Sequence, residues 1–182
     1  MPELYLVRHG KAATAWGSGG DPGLDPLGRR QAEETALRLA GMGPLPILSS
    51  PMARALETAR PLSEAWGVPP VVDPRVSEIP TPEDRMGDRT GWLYTFLKGL
   101  WSDQPPSLLS WRQGLLDALL SLGNDTVIFT HFIAINTAVG AAQGDDRVVC
   151  FWPDNGSVTR IRTYGNTLRL VQLGIETTTR IG

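Results

Sequence analysis

Leu4-Tyr5-Leu6-Val7-Arg8-His9-Gly10 near the start of the chain and Thr126-Val127-Ile128-Phe129-Thr130-His131 far downstream decide how this sequence is read. Each is a short apolar run that ends at a histidine, and the chain has 2 histidines in all. Such runs predict buried strands of a parallel sheet. Open parallel sheets bind ligands in the crevice beyond the carboxyl ends of their strands. Two strand-end histidines can therefore meet in one pocket despite their separation in sequence. Histidine is the side chain best suited to nucleophilic and proton-transfer chemistry near neutral pH.

Working outward, Leu45–Ser49 reads as a third buried strand and Val68–Asp73 as a short fourth. Asp25-Pro26 offers an N-cap followed by proline at the first helical position. Ala32, Ala36, Leu39 and Ala40 then repeat on one helical face, with Gly41 or Gly43 as the stop. Ser50-Pro51 has the same cap logic and predicts a second helix to about Trp66-Gly67. Helical spacing recurs over Trp92–Trp101, and over Leu108–Leu120 after Pro105-Pro106. A shorter helix is expected from His131 through Ala142. Val158–Thr163 and Leu168–Leu173 flank Tyr164-Gly165-Asn166-Thr167 and predict a closing hairpin. Alternating strands and helices imply an α/β fold, a three-layer α/β/α sandwich with a mostly parallel central sheet. At 182 residues the expectation is one domain spanning 1–182.

Composition narrows the function classes. A 41% hydrophobic and 20% charged chain with net charge −2 reads as a globular protein and offers no basic face for nucleic acid or polybasic membrane patch. No apolar run is long enough to span a bilayer, and the start of the chain lacks the pattern of a signal peptide. The lone Cys150 fits a reducing cytoplasm and reads as buried and inert. With so few His and Cys, a zinc site is not expected, and no cofactor is called for. Gly17-Ser18-Gly19-Gly20-Asp21-Pro22-Gly23 lacks the Gly-Lys-Ser/Thr ending of a nucleotide loop, and Pro22 breaks any dinucleotide-binding register. It reads instead as a loop beside the site.

Position also predicts the site. Arg54 lies at the start of the helix after Ser49-Ser50-Pro51, and helical side chains lean toward the helix N-terminus. Arg54 should therefore reach the crevice that receives Arg8, His9 and His131. Two guanidiniums and two imidazoles make a site for a dianion, and forked arginine donors match phosphate. Free N–H groups at the helix N-terminus are expected to add to this preference. Nearby arginines disfavour a protonated His9, which keeps its lone pair available. Trp92, Phe96, Leu100 and Trp101 read as core rather than as a substrate wall.

Leu6-Val7-Arg8-His9-Gly10 resembles the opening signature of the histidine phosphatase, or phosphoglycerate mutase-like, superfamily. Leu27-Gly28-Arg29-Arg30-Gln31-Ala32 is similar to its helix start. Ser49-Ser50-Pro51-Met52-Ala53-Arg54-Ala55-Leu56-Glu57-Thr58-Ala59 and Ile128-Phe129-Thr130-His131 resemble its next blocks, in the family's order. The resemblance implies a metal-independent phosphatase in which His9 is phosphorylated and Arg8, Arg54 and His131 bind the transferring phosphoryl group. It also implies an acid on a variable loop, for which Glu78 in Val76-Ser77-Glu78-Ile79-Pro80-Thr81-Pro82 is the candidate, with Glu83 and Asp84 as rivals. The prolines bar a helix there and should hold the loop extended.

The chain departs from the pattern in places. Many members have Thr and a phosphate-binding Asn where this sequence has Ala12 and Ala15, and Thr14 or Ser18 could substitute. The Arg-His-Gly-x-Ala form resembles small members that dephosphorylate phosphohistidine. Glu-Ile-Pro-Thr-Pro and the Trp-rich helices are more similar to a bacterial branch. Phe132 stands where a glycine often follows the second histidine. The expected partner is a phosphorylated small molecule or phosphoprotein. A phosphomutase, or a phospho-ligand-binding signalling module with weak catalysis, is the alternative. Oligomeric state is not readable from the sequence.

Overall fold

Residues 1–15 and 19–178 are described in the computed structural model. A six-stranded sheet has the order β3-β2-β4-β1-β5-β6. Strands β1 (Glu3–Arg8), β2 (Ile47–Ser49), β3 (Val71–Val72) and β4 (Thr126–Thr130) are mutually parallel where they pair. The hairpin β5 (Val158–Tyr164) and β6 (Thr167–Gln172) adds an antiparallel edge beside β1, and Gly165 takes the left-handed turn between them at φ +56°. This is the mostly parallel α/β sheet that the sequence predicts.

Side-chain alternation explains the layers. Tyr5, Val7, Ile47, Val127 and Phe129 point to one face, where they pack with Ala36, Leu39, Ala55, Ala59 and Leu62 from helices α1 (Pro26–Leu39) and α2 (Ala53–Trp66). Leu4, Leu6, Leu48 and Ile128 point to the other face, against Leu115, Leu119, Ile135 and Val139. These come from α4 (Pro106–Leu120) and α5 (Phe132–Gln143). A third cluster joins Phe96 of α3 (Arg89–Phe96) to Trp101, Leu108, Phe132, Ile133 and Ile79. Phe96 and Trp101 are thus core, as expected, whereas Leu100 is exposed.

Several boundaries differ from the sequence reading, for backbone reasons. β2 begins at Ile47, not Leu45, because Pro44 and Pro46 lack ladder donors; the Pro46 carbonyl still accepts from Val127 N at 3.0 Å. β3 shrinks to Val71–Val72 because Pro69 and Pro70 precede it. The helix expected over Trp92–Trp101 starts earlier, where Asp88 caps Gly91 N at 3.1 Å, and ends at Phe96; Trp101 opens a separate 3₁₀ turn. α1 starts as read, with Asp25 accepting from Gly28 N at 2.7 Å. α2 does not. Its N-cap position is Met52, which makes no side-chain cap bond, and Ser50 is turned to another partner.

Candidate active site

Register brings the two histidines together. Arg8 pairs with Thr130 across the parallel β1–β4 ladder, so His9 and His131 leave adjacent strands at the same level. His9 N then donates to the Thr130 carbonyl at 3.1 Å, and the rings meet edge to face at 5.2 Å between centroids. Ser49 pairs with Phe129 on the other side of β4, which sets Ser50 beside His131.

His9 has a defined proton. Its Nδ1 lies 2.7 Å from the Gly10 carbonyl oxygen, which can only accept, so Nδ1 carries the hydrogen and Nε2 keeps its lone pair. Arg54 Nε makes a long hydrogen bond to that Nε2, at 3.3 Å. Burial, opposed by the Gly10 hydrogen bond and reinforced by Arg8 and Arg54, pushes the His9 pKa down to about 3. His9 is therefore a neutral base at neutral pH. Burial and the neighbouring His9, Arg54 and Arg8 also hold His131 well below the usual imidazole range.

The turn around His9 is held from several sides. Gly10 N donates to Thr58 Oγ1 at 2.9 Å, and that hydroxyl donates to the Arg54 carbonyl at 2.6 Å, which ties the loop to α2. Asn155 Nδ2 donates to the His9 carbonyl at 3.0 Å, and Gly156 N donates to the Arg8 carbonyl at 2.9 Å. Gly10 is required by contact. A Cβ there would lie 2.5 Å from the Gly28 carbonyl oxygen, in the first turn of α1.

Arg54 reaches the His9 ring, and Arg8 stands at the end of β1 beside it. Arg8 donates through a terminal nitrogen to the Pro153 carbonyl at 2.7 Å, and its guanidinium lies over the Phe132 ring at 5.2 Å. Phe132 thus serves as an aromatic platform for the Arg8 guanidinium. Arg8 Nε is buried and unpartnered. Burial lowers the pKa of both Arg8 and Arg54, while Glu78 is the opposing charge that acts most strongly on each. The same acidic group therefore acts electrostatically on both guanidiniums.

That carboxylate reaches the site because its loop is anchored. Thr130 Oγ1 donates to the Val76 carbonyl at 2.6 Å, and Val76 is fully buried in the core. Residues 78–82 then form neither helix nor strand. Glu78 Oε1 accepts from Ile79 N at 3.0 Å, and both carboxyl oxygens accept from Ile133 N, in the first turn of α5, at 3.1 Å. Burial raises the Glu78 pKa, opposed by those two N–H groups and by Arg54 and Arg8. Glu83 and Asp84 lie instead in an exposed 3₁₀ turn (Glu83–Asp88), with Asp84 paired to Arg85.

Other expectations change. The free helix N-termini are partly filled: Asp21 accepts from Ala53 N at 2.9 Å, and Glu78 takes Ile133 N. Thr14 is exposed in a bend, and Ser18 lies outside the described residues. Sequence reasoning missed Ser50, Thr58 and Asn155. Thr58 stood in a quoted block, but Asn155 follows an aperiodic stretch with no local signal. Cys150 is half-buried, its thiol pushed up to about 11 mainly by burial, so it is held as an unreactive thiol. Among the described residues no three His, Cys, Asp or Glu side chains group so as to hold a metal ion, and no helix is long and apolar enough to cross a membrane.

Fold and site together define an α/β protein with a histidine–arginine anion crevice at the carboxyl ends of its central strands. The chain belongs to the histidine phosphatase superfamily (branch 1), whose profile matches residues 4–106. It is 27% identical over 165 residues to a probable phosphoglycerate mutase GpmB of Enterobacter sp. (strain 638), covering 79% of this chain and 76% of that protein. The corresponding protein of Yersinia pestis (strain Pestoides F) is 36% identical over 85 residues, 43% of this chain and 39% of its own. Among solved structures, Bacillus stearothermophilus YhfR superposes with TM-score 0.77 at 23% identity over 94% of this chain and 96% of that one. An Entamoeba histolytica phosphoserine phosphatase in complex with 3-phosphoglyceric acid gives 0.75 at 22%, over 98% of each. A mycobacterial glucosyl-3-phosphoglycerate phosphatase gives 0.75 at 21%, over 97% of this chain and 100% of that one. At these identities the structural likeness establishes the fold, and family membership makes the chain a phosphatase or mutase.

Proposed function

We propose that this protein is a phosphatase that hydrolyses phosphate monoesters or phosphoramidates through a phosphohistidine on His9, without a metal ion. The observation that carries the reading is the fixed tautomer of His9. Its Nδ1–H is spent on the Gly10 carbonyl at 2.7 Å, so Nε2 offers a lone pair beside Arg54. In this mechanism Nε2 attacks phosphorus in line, the P–N bond forms and the P–O bond to the leaving group breaks. Glu78, kept protonated to higher pH by burial, gives its proton to the departing oxygen. The resulting carboxylate then takes a proton from water, which attacks phosphorus, releases phosphate and returns His9 to its neutral form. Arg8, Arg54 and His131 stabilise charge on the equatorial oxygens, where most phosphoryl-transfer catalysis lies.

The substrate class is a phosphorylated small molecule or a phosphoprotein, including phosphohistidine. The named relatives also support a phosphomutase reading, in which phospho-His9 is retained and passed back to substrate. We favour hydrolysis; a long-lived phosphoenzyme regenerated by a bisphosphate donor would favour the mutase instead. We also read 1–182 as one domain and its compartment as the reducing cytoplasm. The test is hydrolysis of p-nitrophenyl phosphate in excess chelator by wild type and His9→Ala. Chelator-resistant turnover abolished in His9→Ala supports the reading. Equal activity in the two proteins overturns it.

A further inference from the structure

We infer that Ser50 is a positioning residue that holds His131 in the tautomer protonated at Nδ1, making this buried imidazole a neutral donor to the phosphoryl group. The inference rests on the phosphatase reading for its consequence, but not for the tautomer itself.

Ser50 occupies a place where sequence predicts a helix cap, yet its Oγ lies 2.7 Å from His131 Nε2. Both residues are fully buried. A hydroxyl has one proton and two lone pairs. Met52 N donates to Ser50 Oγ at 3.2 Å, which uses one lone pair. The hydroxyl proton needs an acceptor, and the contact within reach is His131 Nε2. The serine therefore donates, Nε2 accepts, and a neutral His131 carries its hydrogen on Nδ1. The reverse arrangement fails. With Nε2–H donating, the serine proton would be buried without an acceptor, and Nδ1 would be a bare nitrogen that could only repel a bound phosphoryl oxygen.

The other ring nitrogen follows from this assignment. His131 Nδ1 is buried and has no hydrogen-bond partner. With Nε2 taken by Ser50, this nitrogen carries the ring hydrogen and is a donor with no acceptor in the fold, which a phosphoryl oxygen would satisfy in the proposed reaction. The same crevice holds a second such group, Arg8 Nε. Protonating the whole ring would also supply Nδ1–H, but burial and the three neighbouring basic groups keep His131 neutral. The hydrogen-bonded serine supplies the donor without a charge. Ser49 supports the arrangement, since its Oγ donates to the Ser50 carbonyl at 2.9 Å and fixes that peptide.

The experiment is ring ¹⁵N–¹H correlation NMR of the ligand-free full chain at neutral pH, followed by p-nitrophenyl phosphate kinetics. Wild type should show His131 protonated at Nδ1 and bare at Nε2. Ser50→Ala should shift population toward Nε2–H and lower kcat by about 10- to 100-fold, with KM changed less than about threefold. Ser50→Thr, which keeps the hydroxyl, should restore both the tautomer and most of kcat. Nε2–H in wild type overturns the inference even if Ser50→Ala does not fold. So does a Ser50→Ala protein that keeps the Nδ1–H tautomer and full kcat. A fully active His9→Ala would instead defeat the phosphatase reading, while the substrate-free spectra still judge Ser50.

Discussion

Glu78→Gln should separate catalysis from stability in this protein. The carboxyl group accepts from Ile79 N through Oε1 and from Ile133 N through both oxygens. A glutamine carbonyl can keep the Oε1 bonds, so the loop should stay in place. Burial raises the pKa of Glu78, which means that the fold holds the neutral form better than the unfolded chain does. The sign follows by linkage. Above the ordinary carboxylate pKa the unfolded state loses its proton first, so the native state binds more protons and stability falls as pH rises toward the folded pKa. A permanently neutral glutamine removes that cost, and urea unfolding at pH 7 should find Glu78→Gln as stable as wild type or more so. Activity should move the other way. Loss of a general acid costs about 10²- to 10⁴-fold, or roughly 3–5 kcal/mol in the barrier. That full loss is expected on an alkyl phosphate. In kcat/KM, which reports phosphorylation of His9, p-nitrophenyl phosphate and phosphohistidine have better leaving groups and should suffer far less, while hydrolysis of phospho-His9 loses its base on every substrate. The basic limb of the wild-type kcat/KM profile on the alkyl ester, set by Glu78 losing its proton, should disappear in the variant. Equal loss of kcat/KM on both substrate types, or a strongly destabilised protein, would refute this assignment.

Other consequences can be measured on the same assays. Asn155→Ala removes the 3.0 Å bond to the His9 carbonyl; it should cost about 1 kcal/mol of stability and about tenfold in kcat, and an unchanged kcat would mean that Asn155 does not position His9. Gly10→Ala puts a Cβ 2.5 Å from the Gly28 carbonyl and should destabilise by about 1–3 kcal/mol, read from the urea midpoint, whereas a neutral effect would contradict the packing. The depressed pKa values of His9 and His131 predict acid lability. Below about pH 6.5 the unfolded chain protonates these histidines and the native state does not, so each can remove up to about 1.4 kcal/mol per pH unit. Glu78 has the opposite sign, so the cleanest test is unfolding of Glu78→Gln at pH 7 and pH 5. Equal stability at the two values would show that the histidines titrate normally in the fold.

The parts of this site legible in sequence were those with a local cause. Apolar runs ending at His9 and His131 located the strand ends, and the spacing of Arg54 from β2 placed it over them. Asp25-Pro26 announced α1 because a cap and a fixed φ act within one turn. Ser50-Pro51 carried the same local signal, but the serine hydroxyl went to His131, a partner 81 positions away. Asn155 was invisible for a related reason. It reaches His9 across 146 positions from a segment with no periodicity. Glu78 was already the candidate ahead of Glu83 and Asp84; what the sequence could not show was the bond from Thr130 Oγ1 to the Val76 carbonyl, across 54 positions, that ties its loop to β4. The tryptophan-rich stretch misled on boundaries, since Trp92 and Trp101 share a core but not a helix.

The most direct test of the central claim is to quench wild-type protein during turnover of p-nitrophenyl phosphate in excess chelator and locate any covalent phosphate by peptide mass spectrometry under non-acidic conditions. The account predicts an acid-labile phosphoryl group on His9, formed within the first turnover and absent from His9→Ala. Turnover that proceeds with no phosphate on His9, or with phosphate on another residue, would contradict it.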